Sequence, residues 1–157
     1  MRWAPLVAIG AVAFAIVAFF ALLSRIDLNA VREPSRIEEY LRVKITRAVI
    51  KRRSAREVLP APPADRETSV SIAAGKNLYT MDCAGCHGAG EPSPTVVGRG
   101  MFPRAVDLDA ANIQSYSDRE LFSIIRNGVR FTGMPGFAAV ETSDQTWSLV
   151  DYVRSLR

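Results

Sequence analysis

Five consecutive residues, Cys83-Ala84-Gly85-Cys86-His87, hold the densest reactive chemistry in this 157-residue chain. Two thiols at i and i+3 on a helical turn can both add to the two vinyl groups of one porphyrin. The imidazole beside the second thiol can then reach an iron from the proximal side. This is the spacing of covalent c-type haem attachment. Two other chemistries use similar residues. A thioredoxin-type C-x-x-C needs a preceding strand in a βαβ unit, and no such pattern precedes Cys83. A zinc site needs more ligands than two cysteines and one histidine, which are all this chain has, unless carboxylates help. A disulfide framework is excluded because the only two cysteines are Cys83 and Cys86.

An iron held by His87 has a second axial position. No second histidine exists to fill it. Met1 precedes the apolar N-terminal run, and Met81 stays on the proximal side, two residues before Cys83. Met101 and Met134 remain. Met134 sits in Thr132-Gly133-Met134-Pro135-Gly136-Phe137, where glycine and proline make a stiff, close-approaching loop suited to presenting a thioether. Methionine is more often core filler than ligand. The loop chemistry makes Met134 the expected ligand and Met101 the alternative. A His/Met pair saturates the iron and raises its reduction potential, which suits electron transfer.

Helical periodicity dominates the region around these residues, and no alternating strand pattern stands out. One helix is predicted from about Ser71 to Cys83. A second starts at the capping-box pattern Ser117-Asp118-Arg119-Glu120 and carries Leu121, Phe122, Ile124 and Ile125. A third starts at Ser143-Asp144 and carries Trp147, Leu149, Val150, Tyr152, Val153 and Leu156. Residues 88–116 form a long Gly- and Pro-rich loop, a length usually reserved for function. A small helical domain of this kind has a thin core by itself, a gap that a large apolar cofactor would fill.

Upstream, Trp3 to Leu23 carries no charge. A helix of that length spans roughly 31 Å, the thickness of a bilayer's hydrocarbon. Pro5 falls in its first turn, and Trp3 sits where an interfacial aromatic would anchor. A cleaved signal peptide is the competing reading. The run is long for a signal h-region, and Phe20-Ala21-Leu22-Leu23-Ser24-Arg25 lacks a small-x-small cleavage pattern, so an uncleaved anchor is expected.

The formal charge of +4 is local. Residues 34–57 carry +5, whereas residues 66–157 carry −1. The C-terminal domain therefore has no nucleic-acid footprint. Pro34-Ser35 reads as a helix start for residues 36–56. Ile37, Tyr40, Leu41, Ile45, Ala48 and Val49 fall on one face, with Arg36, Arg42, Lys44, Arg47, Lys51, Arg52 and Arg53 on the remainder. Such a helix can lie on anionic headgroups, pack against a partner or stand as a solvated spacer. Leu59-Pro60-Ala61-Pro62-Pro63-Ala64 then predicts an extended, semi-rigid linker.

Together these residues resemble the class I c-type cytochromes of the bacterial membrane-anchored monohaem type. The likeness covers 70–157. It runs through Gly75-Lys76-Asn77-Leu78-Tyr79, the C-x-x-C-H with Gly88, and Phe102-Pro103-Arg104-Ala105-Val106-Asp107-Leu108. It continues through Ser117-Asp118-Arg119-Glu120-Leu121-Phe122, Asn127-Gly128, Gly133-Met134-Pro135 and Ser143-Asp144…Trp147…Tyr152-Val153. The resemblance implies that the first and last helices cross with Gly75 and Tyr79 against Leu149 and Tyr152. It implies that a backbone carbonyl, commonly at a proline after the motif, accepts from the histidine Nδ1–H. Pro92, Pro94 and Pro103 are available. It implies propionate partners among Arg99, Arg104, Tyr116 and Trp147. Some members are lysine-rich around the haem edge, whereas this domain has only Lys76.

The resulting expectation is an all-α chain with a cytochrome c fold. Residues 1–24 form a transmembrane anchor, 25–57 a basic amphipathic juxtamembrane helix, 58–66 a Pro-rich linker and 67–157 the cytochrome domain. One covalent haem c is attached by Cys83 and Cys86 and ligated by His87 and Met134. The expected function is single-electron transfer between redox proteins rather than catalysis, with residues 3–23 in lipid. The N-terminus would be cytoplasmic and the haem domain periplasmic, on a bacterial inner membrane. The first alternative is a haem c subunit of a larger membrane oxidoreductase, docked through residues 34–57. The second is an open-site haem peroxidase or gas sensor.

Overall fold

The computed structural model describes residues 3–27, 29–30, 32–88 and 94–157. These residues hold eight helices and no strands. In chain order they are α1 (Ala4–Leu23), α2 (Arg36–Arg56), α3 (Ser69–Asp82), α4 (Ala84–His87), α5 (Val96–Arg99), α6 (Ala111–Gln114), α7 (Asp118–Asn127) and α8 (Ser143–Ser155).

The cytochrome-like part is built on the crossing of α3 and α8. Glycine is needed there: a Cβ on Gly75 would lie 1.9 Å from the Ser148 carbonyl oxygen and 2.9 Å from Tyr152 Cβ. Close approach lets the Tyr79 and Tyr152 rings meet with centroids 4.9 Å apart. Phe122 on α7 packs against Trp147 on α8 at 4.4 Å. Leu121, Ile125, Leu149, Val150 and Val153 complete the buried cluster.

Caps define where the helices begin. Thr68 accepts from the Ser71 N–H and starts α3 at Ser69, two residues earlier than the periodicity suggested. Ser117 and Glu120 form a reciprocal capping box on α7, and Thr142 and Gln145 form another on α8. The expected structureless stretch 88–116 contains two single-turn helices, α5 and α6. The first of them is started by Thr95, which accepts from the Gly98 N–H.

A charged network locks three helices together. The Asp151 side chain is fully buried. It accepts from Arg66 Nε at 2.8 Å, from the Glu67 N–H at 3.0 Å and from the Ser71 hydroxyl. Asp118 pairs with Arg66 at 3.0 Å and with Arg154 at 2.7 Å. The Arg66 guanidinium also stacks over Trp147, 4.6 Å from its centroid.

α1 carries a 19-residue segment, Pro5–Leu23, of mean hydropathy 2.9, long and apolar enough to cross a membrane. Its apolar side chains are exposed, and it packs on none of the other described residues.

α2 forms where expected, and in addition docks on the cytochrome-like part, which the sequence reading did not anticipate. Ser35 caps it, accepting from the Glu38 N–H at 3.2 Å. The face identified by periodicity is turned outward: Ile37, Leu41, Ile45 and Val49 are exposed. The opposite face packs on the cytochrome-like part. Ile50 and Ser54 are buried. Arg53 donates to Ser123 Oγ at 3.1 Å, to the Ser123 carbonyl at 2.9 Å and to the Gly128 carbonyl at 3.0 Å. Arg47 donates to Ser115 Oγ at 2.9 Å and sits 4.7 Å over the Tyr116 ring. In return, Arg119 donates to the Ser54 carbonyl at 2.6 Å and to the Glu57 carbonyl. Arg47 and Arg53 thus bond α2 to backbone carbonyls of the cytochrome-like part. The linker that follows is also tied down, because Leu59 packs against the core.

Candidate functional site

Cys83 caps the end of α3 and starts α4, where Cys86 and His87 follow within one turn. α5 holds this turn from behind. The Thr95 hydroxyl donates to the Gly85 carbonyl at 2.7 Å, and the Thr95 N–H donates to the Cys86 carbonyl at 3.1 Å. A Cβ on Gly98 would sit 2.2 Å from that same Cys86 oxygen.

His87 Nδ1 lies 3.0 Å from the Val106 carbonyl oxygen. A carbonyl only accepts, so Nδ1 carries the proton and Nε2 presents a bare lone pair. The bond fixes the ring plane as well as the tautomer. The acceptor is therefore Val106, and neither Pro94 nor Pro103 serves; Pro92 lies outside the described residues.

Cys83, Cys86, His87, Met101 and Met134 line a single cavity. Its remaining walls are largely apolar, with Ile113, Leu121, Ile125, Val129, Phe137 and Leu149 among them. Burial, followed by the nearby Asp82, Glu141 and Cys86, pushes the Cys83 thiol up to about 12. Such a thiol stays protonated near neutrality and is not a poised thiolate. Among the described residues no group of three His, Cys, Asp or Glu is arranged to hold a metal ion. What the cavity offers is two thiols, one imidazole lone pair, thioethers and an apolar slot. That set fits a flat, apolar, iron-bearing macrocycle and suits neither thiol exchange nor zinc.

The methionine loop is pinned at both ends. The Val129 N–H donates to the Met134 carbonyl at 3.1 Å, and the Met134 N–H donates to Thr132 Oγ1 at 3.0 Å. Gly128 has φ 65°, and a Cβ there would lie 2.5 Å from the Pro135 carbonyl carbon. Met101 packs against this loop: a Cβ on Gly133 would lie 2.5 Å from Met101 Sδ. The structure thus brings both candidate methionines to one side of the site.

The four residues considered for anionic groups separate. Arg104 and Tyr116 line the cavity, and Arg104 also pairs with Glu33 at 3.0 Å. Arg99 is turned to the Pro94 carbonyl instead. Trp147 is a core residue, its Nε1 buried without a hydrogen-bond partner among the described residues. Periodicity missed five lining residues, Glu39, Arg42, Val43, Thr46 and Ile50, all from α2. Nothing in the motif pattern points to them, because they lie more than thirty residues before it.

Comparison with known proteins agrees with this chemistry. The family described as "Cytochrome C oxidase, cbb3-type, subunit III" matches residues 70–153, just over half of the chain. The chain therefore belongs to that family of c-type cytochrome domains, whose cofactor is a covalent haem c. Among curated proteins no match is found. A solved structure from Kuenenia stuttgartiensis, the reducing HAO-like protein complex Kustc0457/Kustc0458, is similar, with 25% identity and a TM-score of 0.53. The match covers 66% of this chain and 54% of that one, so the chain spans about half the length of its structural neighbour. Membership of the family supports a role in haem-based electron transfer.

Proposed function

We propose that this chain is a membrane-tethered monohaem cytochrome that carries single electrons between redox proteins. Cys83 and Cys86 attach the haem, and His87 and Met134 hold its iron. The observation that carries this reading is the convergence of the two thiols, the oriented imidazole and the pinned methionine loop on one apolar cavity. The bound haem c supplies a one-electron Fe(III)/Fe(II) couple. The protein's part is positional. Val106 holds the imidazole with its Nε2 lone pair free, so His87 needs no reorganisation when the iron changes charge. The pinned loop presents a thioether, which favours the reduced state and closes the iron to small ligands. The largely apolar walls lower the local dielectric of the site, which strengthens each electrostatic term inside it.

For location, the reading is an inner-membrane anchor through α1 with the haem domain in the periplasm. The apolar 19-residue segment supports the anchor. Attachment chemistry supports the outer side, because thiols are kept reduced in the cytoplasm and haem c is assembled outside it.

Optical spectra of the purified protein from cells able to assemble haem c test the ligand set, for wild type and for Met134→Ala. The expected result is a haem that survives denaturing extraction, low-spin in wild type and altered in the variant. A covalent haem untouched by the substitution would remove Met134 and move the ligand to Met101 or leave the iron open. Absence of covalent haem would overturn the reading.

A second reading, a haem subunit of a larger membrane complex, is favoured by one feature. Ile37, Leu41, Ile45 and Val49 form an exposed apolar stripe on the outer side of α2. The Kuenenia neighbour is itself part of a complex. Serine at Ile37, Leu41 and Ile45 leaves the buried face of α2 untouched. A smaller particle in mildly solubilised membranes, with haem retained, would favour the subunit; an unchanged size would favour the free carrier.

A further inference from the structure

Five α2 residues, Glu39, Arg42, Val43, Thr46 and Ile50, line the same cavity as Cys83, Cys86, His87 and Met134. All five lie outside the family-matched residues 70–153. The helix is fastened there by Arg47, Arg53 and Arg119, each bonded to a backbone carbonyl across the α2 boundary. Within the cavity wall, Arg42 grips Glu39 with two parallel bonds, one of them Nε to Oε2 at 2.9 Å. The Arg42 side chain is 28% exposed and that of Glu39 46%, so solvent screens the pair on its outer side. Toward the cavity, whose walls are largely apolar, that screening is weaker.

We propose that α2 is a wall of the haem chamber, and that its Glu39–Arg42 ion pair tunes the reduction potential of the iron held there. The inference rests on the functional reading of the cavity as the haem site. Reduction adds one electron to that site. A cation in the wall favours the reduced state and an anion opposes it. Paired, the two nearly cancel; removing either one uncovers the other. The pair therefore acts as two opposed positioning charges, and its two halves give effects of opposite sign.

The test uses the full-length, haem-loaded protein in detergent, with the covalent haem content of every sample measured first. Midpoint potentials follow from optical titration. At a fixed applied potential, Arg42→Gln lowers the ratio of reduced to oxidised protein roughly three- to tenfold, and Glu39→Gln raises it by a similar factor. A tenfold change corresponds to about 59 mV for a one-electron couple. Arg42→Lys keeps the charge and stays within about twofold of wild type. Lys44→Gln removes one positive charge from a residue outside the cavity wall and also stays within about twofold.

Opposite shifts at 39 and 42 with a silent Lys44 are the expected result. Shifts of one sign, or shifts no larger than that of Lys44→Gln, overturn the inference while leaving the cytochrome reading intact. A wild type without covalent haem overturns that reading and the inference with it. Should Arg42→Gln lose its haem, the upward shift of Glu39→Gln decides the matter alone.

Discussion

Phe131 holds a φ of 62° with its ring 90% exposed, three residues before Met134. A bulky side chain in the left-handed region is strained by about 1–2 kcal/mol. Asparagine tolerates that region far better. Phe131→Asn is expected to raise stability by about 1 kcal/mol, read from the denaturation midpoint. Gly128 is the opposite case on the same loop. Its φ of 65° and the 2.5 Å approach of Pro135 leave no room for a Cβ. Gly128→Ala is expected to destabilise by roughly 2 kcal/mol and to displace the Met134 loop. Carbon monoxide binding to the reduced protein reports that displacement; a variant as inert as wild type would show that the loop had held. Of these details, only the Gly/Pro character of the loop was legible beforehand. Val106 as the acceptor for His87 was not, since a backbone carbonyl carries no side-chain signature.

At the scale of the helices, Arg66, Ser71, Asp118, Asp151 and Arg154 tie α3, α7 and α8 into one unit. Replacing Arg66 with alanine strands the fully buried Asp151 carboxylate. The expected loss is about 3–5 kcal/mol, measured by urea unfolding. Burial opposes ionisation of Asp118, but bonds to Arg154 and Arg66 outweigh it and hold its carboxyl below the usual 3.8. Its contribution is therefore complete above that value and is lost as pH falls through the lower, folded one. Asp118→Asn should flatten that part of the acid limb. Glu141 behaves in the reverse sense. Burial, followed by the facing Asp82 carboxylate, raises it above 4.5. Its contribution is complete below 4.5 and is lost as pH rises through the raised value. Glu141→Gln is expected to unfold at higher urea than wild type at pH 7, with the advantage shrinking as the pH falls to 4.5. The start of α7 could be read from S-x-x-E, and that of α8 could be placed at Ser143, one residue after its Thr142 cap, because a cap is a local bargain between neighbouring residues. The Arg66 network could not, because its members lie 52 and 85 residues apart.

For the whole molecule, the decisive departure from the sequence reading is α2. Periodicity located the helix and its apolar stripe correctly. It gave no sign that the other face docks on the haem domain, because that face is held by arginines bonded to carbonyls rather than by a run of aliphatics. Ile50 is the main apolar contact on that face. Ile50→Ala is expected to cost about 2–4 kcal/mol and to loosen the helix. Hydrogen exchange provides the check: amides of residues 46–54 should exchange with the slow α7 set in wild type and faster in the variant. Fast exchange of that segment in wild type would mean that α2 stands free.

The docking of α2 also shortens a leash. Were the helix free, the haem domain would swing from the proline segment at 58–66, and α2 would add about 31 Å of reach. With α2 fastened, only the twelve residues 24–35 separate it from α1. A segment of that length spans at most about 40 Å. On the proposed anchor the haem would then patrol a thin layer above the bilayer. Partners would be sorted by the height at which they expose their own redox centres, a criterion that asks little of surface charge and suits a nearly neutral domain.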